Sequence, residues 1–116
     1  MSWFAIHTKP RAEFMAYTNL VWMGLDAYCP RVLRKITHAR STVEEPRPLF
    51  SRYLFLRENL EAPLWADAMS SKTQARIGIS TVIYSASGGV LRIPNSIIEE
   101  LREREVDGFV ADDRDE

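Results

Sequence analysis

The side chains that could bind a metal ion or act as a nucleophile are few and lie far apart in the chain. The 116 residues include two histidines, His7 and His38, and a single cysteine, Cys29. Neither histidine stands at a metal-ligand spacing from Cys29. The cysteine is followed by Pro30 and is expected to be an inert, buried thiol. These residues therefore predict neither a metal site nor a catalytic nucleophile.

Two further patterns fail to supply catalytic chemistry. Gly88-Gly89 lacks the lysine and the Ser/Thr that complete a phosphate-binding loop. Glu44 and Glu45 are adjacent, so on a strand they would point to opposite faces and could not cooperate. A small hydrolase would have no candidate catalytic group among these residues. We therefore predict that the chain is not an enzyme and requires no cofactor.

The charged residues are unevenly distributed, although the formal net charge is only -1. Residues 31–52 contain six basic side chains and two acidic ones, whereas residues 99–116 contain nine acidic side chains and three basic ones. The first block could contact phosphates, and the second would repel them. Alternatively, each block is simply a solvated surface.

Two strand-like segments each carry aromatic residues on one face. Alternation places Phe4 and Ile6 on one side of the first strand, and Leu54 and Leu56 on one side of the strand at 52–57. These aliphatic sides are expected to meet the helices. The opposite face carries Trp3, His7, Tyr53 and Phe55. This face has three interpretations. It could be covered by the hairpin or the last helix, it could stack nucleic-acid bases, or it could dock an apolar protein element.

The elements that would position these faces follow an α+β order. A first helix is predicted with Thr8 as its cap, an inward stripe of Ala16, Leu20 and Met23, and Gly24 at its end. Residues 31–48 predict a long β-hairpin with its tip at 38–41. Helices on one face of a single antiparallel sheet are the economical packing.

The second half of the chain continues this pattern. A short helix is predicted over 62–69 with the polar segment 70–73 as its exit, and strands are predicted at 80–85 and 90–93. A last helix beginning near Pro94 would point Ile97, Ile98 and Leu101 inward. Residues 106–116 predict an acidic linker without a core pattern.

Three ordered blocks of this sequence resemble the N-terminal (NGN) domain of the NusG/RfaH family. They are W-F-A-I-H-T-K-P-R from Trp3, E-P-R-P-L-F-S-R-Y-L-F-L from Glu45, and I-S-T-V with V-L-R-I-P in the closing segment. The second block is similar to the family signature E-P-L-F-x-x-Y-L-F-V. The resemblance implies a four-stranded, antiparallel, ferredoxin-like sheet flanked by helices, with an inserted basic β-hairpin.

The resemblance also implies a function. Family members bind the clamp helices of the RNA polymerase β′ subunit and promote processive elongation or antitermination. The matching docking positions are His7, Tyr53 and Phe55, and Trp3 joins them by strand alternation. His7 stands where an aromatic or other large residue is expected. The expected partner is the polymerase. The protein itself is expected to be a cytoplasmic monomer that associates with the nucleoid during transcription and has no membrane span.

Nucleic-acid contacts are implied at two further places. Ser70, Ser71, Lys72 and Thr73 align with a segment that approaches non-template DNA in RfaH-like members. Arg34, Lys35 and Arg40 of the hairpin could contact phosphates or acidic polymerase elements. The family pattern divides the chain into an NGN domain at 1–105 and a linker at 106–116 that leads to a KOW domain. Partners of that domain, such as Rho or the ribosome, are not assigned to these residues.

The alternative from another class is a single-stranded RNA-binding module that uses the same aromatic face. Residues 51–56, S-R-Y-L-F-L, lack the glycine of the RNA-recognition signature, and the C-terminal segment is acidic. Both features favour the polymerase-binding interpretation. The sequence does not distinguish a general NusG factor from an RfaH-like paralogue.

Overall fold

The computed structural model describes residues 2–111. Within them an antiparallel five-stranded sheet carries helices on both faces, and two further hairpins extend from it. The elements are, in chain order, β1 (Trp3–Thr8), α1 (Glu13–Trp22), β2 (Ala27–Tyr28), β3 (Arg31–His38), β4 (Ser41–Pro48), β5 (Tyr53–Arg57), α2 (Trp65–Ala68), α3 (Ser71–Ile77), β6 (Ile79–Val82), β7 (Arg92–Ile93), α4 (Asn95–Glu103), β8 (Glu105–Val106) and β9 (Phe109–Val110). None of the helices in this part of the chain is long and apolar enough to cross a membrane.

The main sheet has five strands, where the sequence predicted four. Its order is β2-β5-β1-β6, and β7 also pairs with β1. β5 pairs with β1 from Trp3 to His7, while the other edge of β1 is divided between β7 at its start and β6 at its end. A strand of six residues spans about 20 Å, which leaves room for two short strands end to end.

Alternation along β1 and β5 distributes their side chains between the two faces of the sheet, as predicted, and a core lies on each face. Phe4, Ile6, Leu54 and Leu56 form the first core with the apolar side chains of α1, α2 and α3. The second core lies on the opposite face and contains Trp3, Ala5, Tyr28, Phe55, Ile98 and Leu101. Because α4 supplies Ile98 and Leu101, the helices are not confined to one face. Of the three interpretations of the aromatic face, coverage by the last helix holds for Trp3 and Phe55.

The first helix begins later than the sequence predicted. Thr8 is not its cap, because Thr8 ends β1, is fully buried and donates its backbone N–H to the Arg52 carbonyl at 2.8 Å. The helix instead begins at Glu13, without a side-chain cap. The predicted end is confirmed: Gly24 adopts φ +83° and donates its N–H to the Val21 carbonyl.

The segment after α2 is a helix start, where the sequence predicted a polar exit loop. Ser70 has an extended backbone, and its Oγ accepts the Thr73 N–H at 3.2 Å. This is an N-cap hydrogen bond, which explains why α3 begins at Ser71. Gly78 ends α3 in the left-handed conformation, with φ +95°.

The last helix buries two of its three predicted inward residues. Ile98 and Leu101 are buried in the second core, but Ile97 is exposed. Residues three apart share a helix face, whereas adjacent residues are turned by about 100°. The prediction for Ile97 is therefore wrong, since the face that meets the sheet is centred on Ile98 and Leu101.

Residues 106–110 belong to the fold, contrary to the predicted linker. β8 and β9 form a hairpin whose two-residue turn, Asp107-Gly108, has φ values of +56° and +86°. Val110 is buried, and the Arg31 guanidinium lies 4.8 Å from the centre of the Phe109 ring. The hairpin is thereby attached to β3. Residues 112–116 of the predicted linker lie outside the described residues.

The strands β3 and β4 form a separate two-stranded antiparallel sheet. Their register runs without a shift from Arg31 opposite Pro48 to His38 opposite Ser41. The two residues between the strands, Ala39 and Arg40, have φ values of +46° and +72°. Positive φ at both positions matches the right-handed twist of the strands that such a tight turn connects.

Candidate docking surface

Trp3 lies beneath α4 and is not available to a partner. Its side chain is 1% exposed, and its Nε1–H donates to the Asn95 Oδ1 at 3.0 Å. The Arg102 guanidinium lies 5.2 Å from the centre of the Trp3 ring and 4.9 Å from that of Tyr28. These contacts attach α4 to the sheet. The predicted exposure of Trp3 is therefore wrong.

His7 and Tyr53 lie at the other end of the same sheet face. They are directly opposed in the β1–β5 register, and their ring centres are 5.1 Å apart. Tyr53 is 41% exposed and His7 is half-buried. Successive residues on one face of a strand are about 7 Å apart, so the cover over Trp3 does not extend to these two rings.

Phe50 completes this exposed group, although the sequence interpretation did not select it. Its side chain is 41% exposed and packs edge-to-face on Phe55, with ring centres 5.9 Å apart. Phe55 is itself buried, so it supports Phe50 from below. The signal available in the sequence was the Leu49-Phe50 pair just before the strand. We refer to His7, Phe50 and Tyr53 as the aromatic surface.

The predicted cations of the β3–β4 hairpin face acidic residues across the two strands. Arg34 pairs in register with Glu45 and Lys35 with Glu44, whereas Arg40 is exposed in the turn. Glu45 also contacts Arg47 at 2.9 Å and His38 at 3.5 Å. Cross-strand pairs of opposite charge stabilise a hairpin modestly and reduce its positive field.

The residues at 70–73, which were predicted to contact nucleic acid, do not form a single exposed loop. Thr73 is buried, and its Oγ1 donates to the Asp67 Oδ1 at 2.9 Å. The Ser70 hydroxyl is occupied by the helix cap. Ser71 and Lys72 are exposed on the first turn of α3. Ser70 is exposed but its hydroxyl is already hydrogen-bonded to Thr73 and Asp67, so Ser71 and Lys72 are the side chains of the four best placed to contact a nucleic acid.

Cys29 has the properties of a structural thiol. It is buried, and burial, assisted by the Glu13 carboxylate, raises the pKa of the thiol to about 12. Burial and a hydrogen bond to the Glu105 carboxylate likewise raise the pKa of the Tyr28 hydroxyl.

Across residues 2–111, no cluster of three or more His, Cys, Asp or Glu side chains could hold a metal ion.

Comparison with known protein families gives a match that covers most of the chain. The family model described as transcription termination factor NusG matches residues 1–109. The match includes both strands of the aromatic surface, the hairpin and α4. No curated protein sequence matches the chain.

Proposed function

Since the chain belongs to the NusG family, whose members are transcription factors that interact with RNA polymerase, we propose that its aromatic surface docks on the clamp helices of the polymerase β′ subunit. The family supports a role in transcription elongation or antitermination. Within that role, the proposed docking would hold the domain on the polymerase during elongation. The β2-β5-β1-β6 strand order supports the ferredoxin-like assignment implied by the same resemblance.

The observation that carries this proposal is the incomplete cover of one sheet face. α4 buries Trp3 and Phe55 at one end, while Tyr53 and Phe50 at the other end each leave 41% of their surface exposed. Large aromatic side chains on rigid strands contribute much of the energy of protein interfaces. A helical partner could fill the open part of this face with its apolar side chains.

We also propose that exposed cations outside this surface contact nucleic acid in the elongation complex. Lys35 and Arg40 on the hairpin, and Lys72 on α3, are exposed. Such contacts would be phosphate contacts, which position a protein without reading sequence. Thr73 is not part of this proposal because it is buried. We further propose that the protein acts as a cytoplasmic monomer.

Tyr53→Ala, compared with Tyr17→Ala, tests the docking proposal. Tyr17 is 37% exposed and lies on α1, which packs on the opposite sheet face, so it matches Tyr53 in type and exposure. Binding to a β′ clamp-helix fragment should weaken by about 1 to 3 kcal/mol for Tyr53→Ala, as for a central aromatic anchor. Tyr17→Ala should bind normally. Equal affinity of the two folded variants would refute the docking surface.

The same variants separate protein docking from RNA binding. Burial of Trp3 and Phe55 removes two of the four aromatic side chains that an RNA-stacking face would use. The protein should therefore bind free single-stranded RNA weakly. Tight, salt-sensitive RNA binding that Tyr53→Ala abolishes would support the alternative function.

A further inference from the structure

Three chain segments meet at the end of β1, next to the aromatic surface. Arg52 connects the turn that carries Phe50 to the start of β5, which carries Tyr53. Its backbone φ is +67°, a left-handed value that residues with a Cβ adopt rarely. The conformation of Arg52 thus decides how Phe50 and Tyr53 are presented, and other contacts must stabilise it.

A buried carboxylate supplies one of these contacts. Glu13, at the first position of α1, is only 6% exposed, and its Oε2 accepts the backbone N–H of Arg52 at 2.8 Å. A hydrogen bond from a backbone N–H to a carboxylate is stronger than one to a neutral acceptor. This contact is local to the turn and links α1 directly to the segment beside the aromatic surface.

The Arg52 side chain and carbonyl provide the second group of contacts. The Arg52 Nε–H donates to the Thr8 carbonyl at 3.1 Å, and the Arg52 carbonyl accepts the Thr8 N–H at 2.8 Å. Thr8 directly follows His7 in β1. Arg52 is therefore hydrogen-bonded to the strand that carries His7, the third side chain of the aromatic surface. The Tyr53 N–H closes the turn on the Phe50 carbonyl at 3.2 Å.

We propose that Glu13 and Arg52 are positioning residues for the docking surface: the Glu13 carboxylate holds Arg52 in the left-handed conformation that sets Phe50 and Tyr53 beside His7. The inference rests on the proposed function, since it concerns the same docking surface. Neither Glu13 nor Arg52 has to touch the partner. Their contribution is to pre-organise the aromatic side chains before docking, which lowers the cost of binding.

The test combines Glu13→Ala with Arg52→Gly. Glu13→Ala should weaken binding of the clamp-helix fragment about tenfold. Loss of one charge-assisted hydrogen bond should reduce the population of the left-handed Arg52 conformation, relative to other conformations of the turn, by about that factor. Glycine adopts positive φ without strain, so the turn no longer needs the carboxylate. In the Arg52→Gly background, Glu13→Ala should therefore weaken binding less than about threefold, because the two residues are coupled.

A second measurement uses the free protein. The Tyr53 ring lies close enough to His7 to shift the imidazole proton resonances, and Glu13→Ala should move these resonances toward their values in Tyr53→Ala. Glu13→Gln keeps an oxygen acceptor without the charge and should give intermediate values. If Glu13→Ala does not fold, Glu13→Gln provides the comparison in both backgrounds. Trp3→Phe, a core change remote from the turn, should leave binding and the His7 resonances unchanged.

The outcomes distinguish this inference from the function on which it rests. Normal binding by Tyr53→Ala would overturn the docking surface and, with it, the positioning role. Weak binding by Tyr53→Ala together with normal binding by folded Glu13→Ala would overturn the positioning role alone. An equal effect of Glu13→Ala in both Arg52 backgrounds would show that Glu13 does not act through Arg52.

Discussion

Trp3→Phe separates the covered end of the aromatic sheet face from its open end. The substitution removes about three buried ring atoms, one of which is the indole nitrogen whose N–H donates to Asn95 at 3.0 Å. Loss of a neutral hydrogen bond costs about 1 kcal/mol. The lost ring contacts raise the total to about 2 to 3 kcal/mol, partly through the cavity that remains beside Ile98.

The free energy of unfolding from urea titration, with a thermal melt in parallel, measures this cost. The melting temperature should fall by roughly 10 °C for a domain of this size. Asn95→Ala should cost about 1 to 3 kcal/mol, because it leaves the buried Trp3 indole N–H without its acceptor. The double variant should show coupling of about 1 kcal/mol between the two residues.

Binding supplies the second half of the test. Trp3→Phe should bind the clamp-helix fragment as tightly as the unmodified protein, since Trp3 lies beneath α4. Tyr53→Ala should show the reverse: the free energy of unfolding should change by less than about 1 kcal/mol because Tyr53 is 41% exposed, while binding to the clamp-helix fragment should weaken by about 1 to 3 kcal/mol. A stable Trp3→Phe variant that binds as weakly as Tyr53→Ala would refute the division of this face.

Two further predictions concern the helix start at Ser70 and the buried thiol. Ser70→Ala should lower the free energy of unfolding by about 1 kcal/mol, because the Thr73 N–H loses its cap, whereas Ser71→Ala should change it little; equal thermal melts would contradict the cap. The Cys29 thiol keeps its proton in the folded state up to a pKa of about 12, compared with 9.0 when unfolded. The contribution of the protonated Cys29 thiol to the free energy of unfolding is therefore fully present below pH 9 and should be lost as the pH rises from 9 toward 12. Between pH 9 and 10, before Tyr28 adds to the loss, Cys29→Ala should show a shallower decline in urea midpoint; parallel declines would contradict the assignment to Cys29.

The sequence was sufficient for features that depend on local chemistry. Alternation placed Phe4 with Ile6, and Leu54 with Leu56, on the side of the first helices, because successive strand residues point to opposite faces. The glycine at 24 ended the first helix, since it adopts positive φ without strain. The family was identifiable from motif order, and the match over residues 1–109 confirms it.

Helix boundaries were less predictable. Both Thr8 and Ser70 are residue types that cap helices, but Thr8 is bound into the sheet through Arg52, and Ser70 caps α3. The Ser70 cap is local, but whether Thr8 could act as one depended on Arg52, a hydrogen-bond partner distant in sequence. The turn at Asp107-Gly108 was a local signal for the β8–β9 hairpin, but the acidic composition around it favoured a linker.

The sequence alone determined that one sheet face carries Trp3, His7, Tyr53 and Phe55, because that follows from strand alternation. Only the tertiary structure decided which of these side chains stay exposed. α4 lies more than 30 residues after β5 in the chain, yet it covers Trp3 and Phe55 and leaves Tyr53 open. Burial is a property of contacts between distant segments, so no local pattern could divide that face between core and docking surface.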